Sequence, residues 1–270
     1  MQYLMCPPIH YGIDYEINPW MRRKRHADPE TAKEQWRQFN RLLQDEMGVD
    51  VVLVEPRPGL PDMVFTANAG FVWRNIFIRS KFRHGARQSE ERHFENWFQV
   101  RGYEIAALPG QGFFEGEGDL LKCGDALYGG YHIRSDIHCH ERIAEIVQQE
   151  VLSLELTNQW FYHLDTCFCP LGENRALYYP GAFDPYAIKV LKERIGTLIP
   201  VPEDEAMRFA CNLIVEGERV VMSDGCPQVR SLLRKMGLTV HETPLGEFIK
   251  AGGAAKCLVL KLPHFLDPSP

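Results

Sequence analysis

The chain predicts an α/β fold of five ββαβ units around a pseudo-fivefold axis, as one domain over residues 1–270. Three observations lead there. Polar or reactive residues recur at five strand starts, Asn68 in TANAGFVW, Asp119 in GDLLKCGDALYGG, Asp165 in DTCFCPLGENRALYY, Cys211 in CNLIVEGERVVMS and Cys257 in CLVLKL, spaced 51, 46, 46 and 46 residues apart. Four of these starts run into a hairpin, with Gly, Asn or Asp between β-branched and aromatic runs. A helical pattern and a further strand then complete each unit.

The elements follow in order. YLMC reads as a strand, and Asp28-Pro29 opens a helix over residues 29–46, an N-cap followed by proline at the first helical position. VDVVLVEP is the next strand. The hairpins are GFVW-RN-IFIRS, DLLK-CGD-ALYGG, CFCP-LGEN-RALYYP and NLIV-EGE-RVVMS. Helices are predicted at 89–101, 138–149, 185–194 and 226–236; the last has apolar residues at i, i+3 and i+4. YEIAAL, LSLEL, TLIPV and LTVHETP are the closing strands. The fifth unit is split: CLVLKL at the C-terminus is its first strand, and the N-terminal segment supplies the rest. Joining both termini in one unit is expected to remove an exposed sheet edge. The first strand of each unit is expected to line the axis.

Composition narrows the function. Net charge is −6, with 45% hydrophobic and 24% charged residues. A basic nucleic-acid footprint is lacking, and Arg22-Arg23-Lys24-Arg25 reads as a solvated run before a helix. No apolar stretch is long enough to span a membrane, and MQYLMCPPIHYG lacks the regions of a signal peptide. A cytoplasmic location and reduced cysteines are therefore expected, with most of the eight thiols in the core. No cofactor or metal is expected. The glycines of GQGFFEGEGD do not open a helix after a strand, and Cys167 with Cys169 has no matching second pair.

Asn68, Glu115, Asp119, His163, Asp165, Asn212 and Cys257 fall near the predicted axis. A thiol needs help to ionise and attack, and a histidine can move the proton. Carboxylates on a poorly solvated axis need a cation. The set points to a planar cation with an electrophilic carbon, and a guanidinium fits, since carboxylates can grip its N–H fork.

These residues resemble the guanidino-group-modifying, or pentein, superfamily. MCPPIHYGIDYEINPWM, LPDMVFTANAG, FEGEGD, FYHLDTCFCPLG, YYPGAFD and KAGGAAKC are most similar to the arginine dihydrolases of bacteria, over essentially the whole chain. The resemblance implies a pentein-type α/β-propeller and hydrolysis of the guanidino group of L-arginine through a Cys-linked thiouronium, giving ornithine, carbon dioxide and ammonia. It implies Cys257 as nucleophile and His163 as proton shuttle. Glu115, taken in preference to Glu117, and Asp165 grip the guanidinium, with Asp119 beside them. Asn68 stands where deiminases carry an aspartate. Asn18, Arg87 and Arg134 serve the amino-acid end of the substrate. The alternatives are a dimethylarginine dimethylaminohydrolase, an arginine deiminase, an amidinotransferase or a non-catalytic ring protein. The expected partner is a small guanidino molecule, and a homo-oligomer is left open. Residues 10–26 and 79–93 are expected to cover the site.

Overall fold

In the computed structural model, which describes residues 1–108 and 110–263, the strands form five separate three-stranded sheets. Each has the same topology. A first strand pairs antiparallel with a second, which pairs parallel with a third: Gly70–Trp73, Ile76–Arg79 and Glu104–Ala106 are one such set. The split unit obeys the same rule. Gln2–Met5 is its middle strand, antiparallel to Leu260–Leu262 and parallel to Asp50–Leu53. This is the predicted five-unit architecture.

Helices join the second and third strands. The helix Pro29–Asp45 is started by Asp28, whose Oδ1 accepts from the Thr31 amide at 2.7 Å. Its buried residues Ala32, Trp36, Phe39 and Leu43 form one stripe against the core. Such a cap contributes about 1 kcal/mol, and burying a Phe39-sized side chain roughly 1.5–3 kcal/mol. Packing therefore holds the helix, and the cap sets where it begins. Asp184 caps the helix Pro185–Arg194 in the same way, accepting from the Ala187 amide at 2.8 Å.

Two expectations change. The sheets stay separate, so pairing the termini completes one sheet without removing edges; third strands such as Asp50–Leu53, with both ends exposed, remain at the rim. The register also shifts. First strands begin at Gly70, Leu120, Phe168, Ile214 and Leu260. Asp165, Cys211 and Cys257 each lie three residues before their strand, but Asn68 lies two before and Asp119 one before. The strand predicted to start at Cys257 starts at Leu260, because Lys256–Leu258 winds into a tight 3-10 turn. Thr66–Ala69, Gly116–Gly118 and Leu164–Thr166 form similar turns before their strands. These turns, more than the strands themselves, present side chains at the axis.

Among the described residues, no helix is long and apolar enough to cross a membrane.

Candidate active site

Cys257 sits in the last of these turns, 3% exposed, and lines a small pocket together with Asn18, Asp62, Asn68, Arg87 and Arg134. Its thiol faces Asp165, with Sγ 3.2 Å from Oδ2. Asn212 brackets it: Nδ2 lies 3.1 Å from Sγ, and Oδ1 accepts from the Cys257 amide at 3.2 Å and the Ala254 amide at 3.1 Å. One amide side chain thus fixes the turn and offers a donor to the sulfur. Burial, and then the Asp165 carboxylate, push the thiol well above its ordinary pKa. Left alone, this cysteine holds its proton. Burial also raises Asp165 to about 6, opposed first by Lys256. Asp165 Oδ1 is buried with no hydrogen-bond partner among the described residues. A cation entering here would satisfy that oxygen and favour the thiolate.

A second cluster is built where two other turns begin, at Glu115 and His163. His163 Nε2 lies 2.8 Å from Glu115 Oε2, which also accepts from Arg134 Nη1 at 2.9 Å. The Arg83 amide donates to the other oxygen, Oε1, at 3.1 Å. Burial alone would raise Glu115, but Arg134 and His163 outweigh it and hold the group below the usual carboxylate range. Glu115 is therefore an ionised anchor for the imidazole. Glu117 is engaged elsewhere, accepting from Lys256 Nζ at 2.8 Å and the Lys261 amide at 3.2 Å.

Asp119 stands behind this cluster. Its Oδ2 accepts from Ser135 Oγ at 2.6 Å, and its Oδ1 from the Leu164 amide at 3.1 Å. Ser135 Oγ in turn accepts from the Glu115 amide at 3.0 Å. Both carboxylate oxygens are thus spent on the scaffold that carries Glu115 and His163. This differs from the substrate contact expected of it, because it stands two positions out of phase with Asp165.

Of the residues expected at the amino-acid end, Asn18 lies in the segment 10–26, Arg87 in 79–93 and Arg134 outside both. Arg134 Nη2 donates to the Ile17 carbonyl at 2.8 Å, and its guanidinium lies 4.6 Å from the Tyr162 ring centre. Arg87 donates to Asn68 Oδ1 at 2.8 Å and is gripped by Glu90. Asn18 is largely structural: Oδ1 accepts from the Trp20 and Met21 amides at 2.9 and 3.1 Å, and Nδ2 donates to the Ala251 carbonyl at 3.0 Å. It pins the segment 10–26 to the approach to Cys257. That approach needs glycine at Gly252, which has φ +92°, and where a Cβ would fall 2.7 Å from Tyr162 Oη.

Two residues of this region are not singled out by the sequence, Asp62 and Glu90, and the contact of a third, Asn212, is not foreseen there. Asp62 lines the pocket, is 1% exposed, and has an Oδ1 without a hydrogen-bond partner among the described residues. Burial raises it, and Arg87 opposes the rise. It lies within LPDMVFTANAG, but nothing in its spacing separated it from a turn acid. Asn212 was placed near the axis without its contact to Cys257. Glu90 lies in the polar segment 79–93 expected to cover the site, and it is 0% exposed.

A family model for "N,N dimethylarginine dimethylhydrolase, eukaryotic" matches residues 13–264. The bifunctional arginine dihydrolase/ornithine cyclodeaminase AgrE of Nostoc sp. is 45% identical over 97% of this chain, which spans 38% of that relative's length. The N(G),N(G)-dimethylarginine dimethylaminohydrolase of Mycobacterium tuberculosis is 35% identical over 97% of this chain and 85% of its own. Among solved structures, the product-bound N-terminal domain of ArgZ, an arginine dihydrolase from cyanobacteria, superposes with a TM-score of 0.92 at 45% identity, over 96% of each chain.

Proposed function

The chain belongs to the N,N-dimethylarginine dimethylhydrolase family of the pentein superfamily, and from that premise we propose that it is an arginine dihydrolase. It would convert L-arginine and two waters to ornithine, carbon dioxide and two ammonia. The observation that carries this reading is Asn68, a neutral amide beside the Cys257, His163, Glu115 and Asp165 set, because a two-round reaction has to hold a neutral ureido intermediate. An amide can donate to that group, whereas an ionised carboxylate can only accept.

The guanidinium seats against Asp165 Oδ1, beside the imidazole that Glu115 holds, and its charge draws Cys257 to thiolate, the thiol proton passing to His163. Sulfur attacks the guanidinium carbon. His163, held by Glu115, protonates the departing ammonia, leaving an S-alkylthiouronium. His163 then takes a proton from water as it attacks, giving citrulline. In the second round sulfur attacks the ureido carbon, and the second ammonia leaves a thiocarbamate. Water cleaves it to a carbamate, which separates into ornithine and carbon dioxide. Arg87 and Arg134 each keep an N–H for the substrate carboxylate. Asp62 suits its ammonium. All eight cysteines are unpaired, which supports a reducing, cytoplasmic setting.

The test is stoichiometry. Incubation with arginine should yield ornithine with two ammonia each. Citrulline accumulating with one ammonia would indicate a deiminase, and turnover of dimethylarginine in preference to arginine would indicate a dimethylaminohydrolase.

A further inference from the structure

We propose that Glu90 is a positioning residue that acts through Arg87 to fix the amide of Asn68, and so decides whether the ureido intermediate is kept for a second round. The inference rests on the dihydrolase reading.

Glu90 is completely buried between the short helix Gly85–Gln88 and the helix Glu91–Val100, and is not among the pocket's lining residues. A buried carboxylate is costly unless paired. Its partner is Arg87, which donates from Nε to Oε1 at 3.0 Å and from Nη2 to Oε2 at 2.9 Å. This two-pronged contact takes one whole edge of the guanidinium and fixes its plane. Nη2 also donates to the Asp62 carbonyl at 3.1 Å, and the Phe82 ring centre lies 4.4 Å from the guanidinium carbon. Nη1 is thereby aimed at Asn68 Oδ1, 2.8 Å away.

Arginine has donors only. The amide atom that meets it has to be oxygen, so Nδ2 of Asn68 turns to the opposite side. There it lies 3.4 Å from the Glu115 carbonyl, and only 2.3 Å from where a Cβ on Gly118 would stand. The same Cβ would lie 3.3 Å from His163 Cγ. One N–H of Asn68 goes to the Glu115 carbonyl, and the second, on the side of His163, is the one offered to the reaction centre. A guanidinium carries only N–H groups and gains little from another donor. A ureido group carries a carbonyl oxygen that accepts one. The fork on Glu90 thus sets the amide in the orientation that favours the second substrate over the first. Without the fork, Arg87 can swing and the amide can turn its oxygen to the site, which favours guanidinium and lets citrulline go.

Glu90→Gln keeps the shape of the side chain but replaces one acceptor by a donor. With arginine as substrate, citrulline and ornithine are measured together over time for the wild type and the variant, with near-UV circular dichroism to confirm packing. The citrulline-to-ornithine ratio is expected to rise about tenfold or more, the worth of one charge-assisted hydrogen bond. If total turnover falls and the ratio stays at the wild-type value, Glu90 merely supports the fold and the proposal is overturned. Should Glu90→Gln not fold, Glu90→Asp retracts the carboxylate, breaks the fork and is read by the same ratio. Absence of ornithine from the wild-type reaction would refute the dihydrolase reading itself, seen before any substitution, and would take this proposal with it.

Discussion

At the residue scale, the site combines an anchored base with an under-satisfied acid. Glu115 spends its oxygens on His163, Arg134 and the Arg83 amide. Asp165 keeps a buried oxygen without a hydrogen-bond partner among the described residues and is raised to about 6. On the proposed mechanism Asp165 has to be ionised to receive the guanidinium, so kcat/KM should climb as pH rises through about 6. The stability sign is opposite. A carboxyl whose folded pKa exceeds its unfolded value of about 3.9 binds more protons in the native state, so its contribution declines as pH rises from about 4 to about 6. A pH–rate profile checks the limb; Asp165→Asn should abolish it, and persistence of the limb would assign it to another group. Cys257→Ser should lower turnover by at least about 10³-fold, since removing a nucleophile leaves only binding and electrostatics. Retained turnover would dismiss the nucleophile assignment. Cys, His and the acids were legible in sequence by type. The contacts of Asn212 and Asp62 were not, because neither residue's type nor its spacing says what it touches.

At the element scale, the tight turns before the first strands do the positioning. Gly116–Gly118 passes so close to Asn68 and His163 that Gly118 leaves no room for a side chain. Gly118→Ala should push Asn68 and His163 apart and lower kcat/KM about 100-fold, the usual consequence of a misplacement near 1 Å. Overpacking should cost about 1–3 kcal/mol of stability. Steady-state kinetics beside a thermal melt separates the two effects; unchanged kinetics would show that the turn can yield. Hairpins, helices and their caps were legible in sequence from turn chemistry and periodicity. The turns were not, because a three-residue coil has no period to read, and a strand assigned from Cys257 begins three residues later.

At the scale of the whole molecule, the chain ends meet in one sheet, with Gln2–Met5 held between Leu260–Leu262 and Asp50–Leu53. The turn that carries Cys257, Lys256–Leu258, leads directly into the last strand of that sheet. Leu4 is fully buried in the middle strand. Leu4→Ala should cost about 2–5 kcal/mol, and tryptophan fluorescence and far-UV circular dichroism should shift together in denaturant if the ring unfolds as one unit. Separate transitions would show that the units unfold independently. The recurrence of strand starts, the hairpin chemistry and the split fifth unit determined the ring from sequence alone, because local propensity and hydrophobic patterning act between near neighbours. Only the tertiary structure decided which polar groups face one another: Glu115 on His163, Glu117 on Lys256, Asp119 behind Ser135, and Glu90 on Arg87. Those pairings join residues through turns whose phase the repeat does not set, and a displacement of one or two positions along a tight turn sends a carboxylate to a different partner.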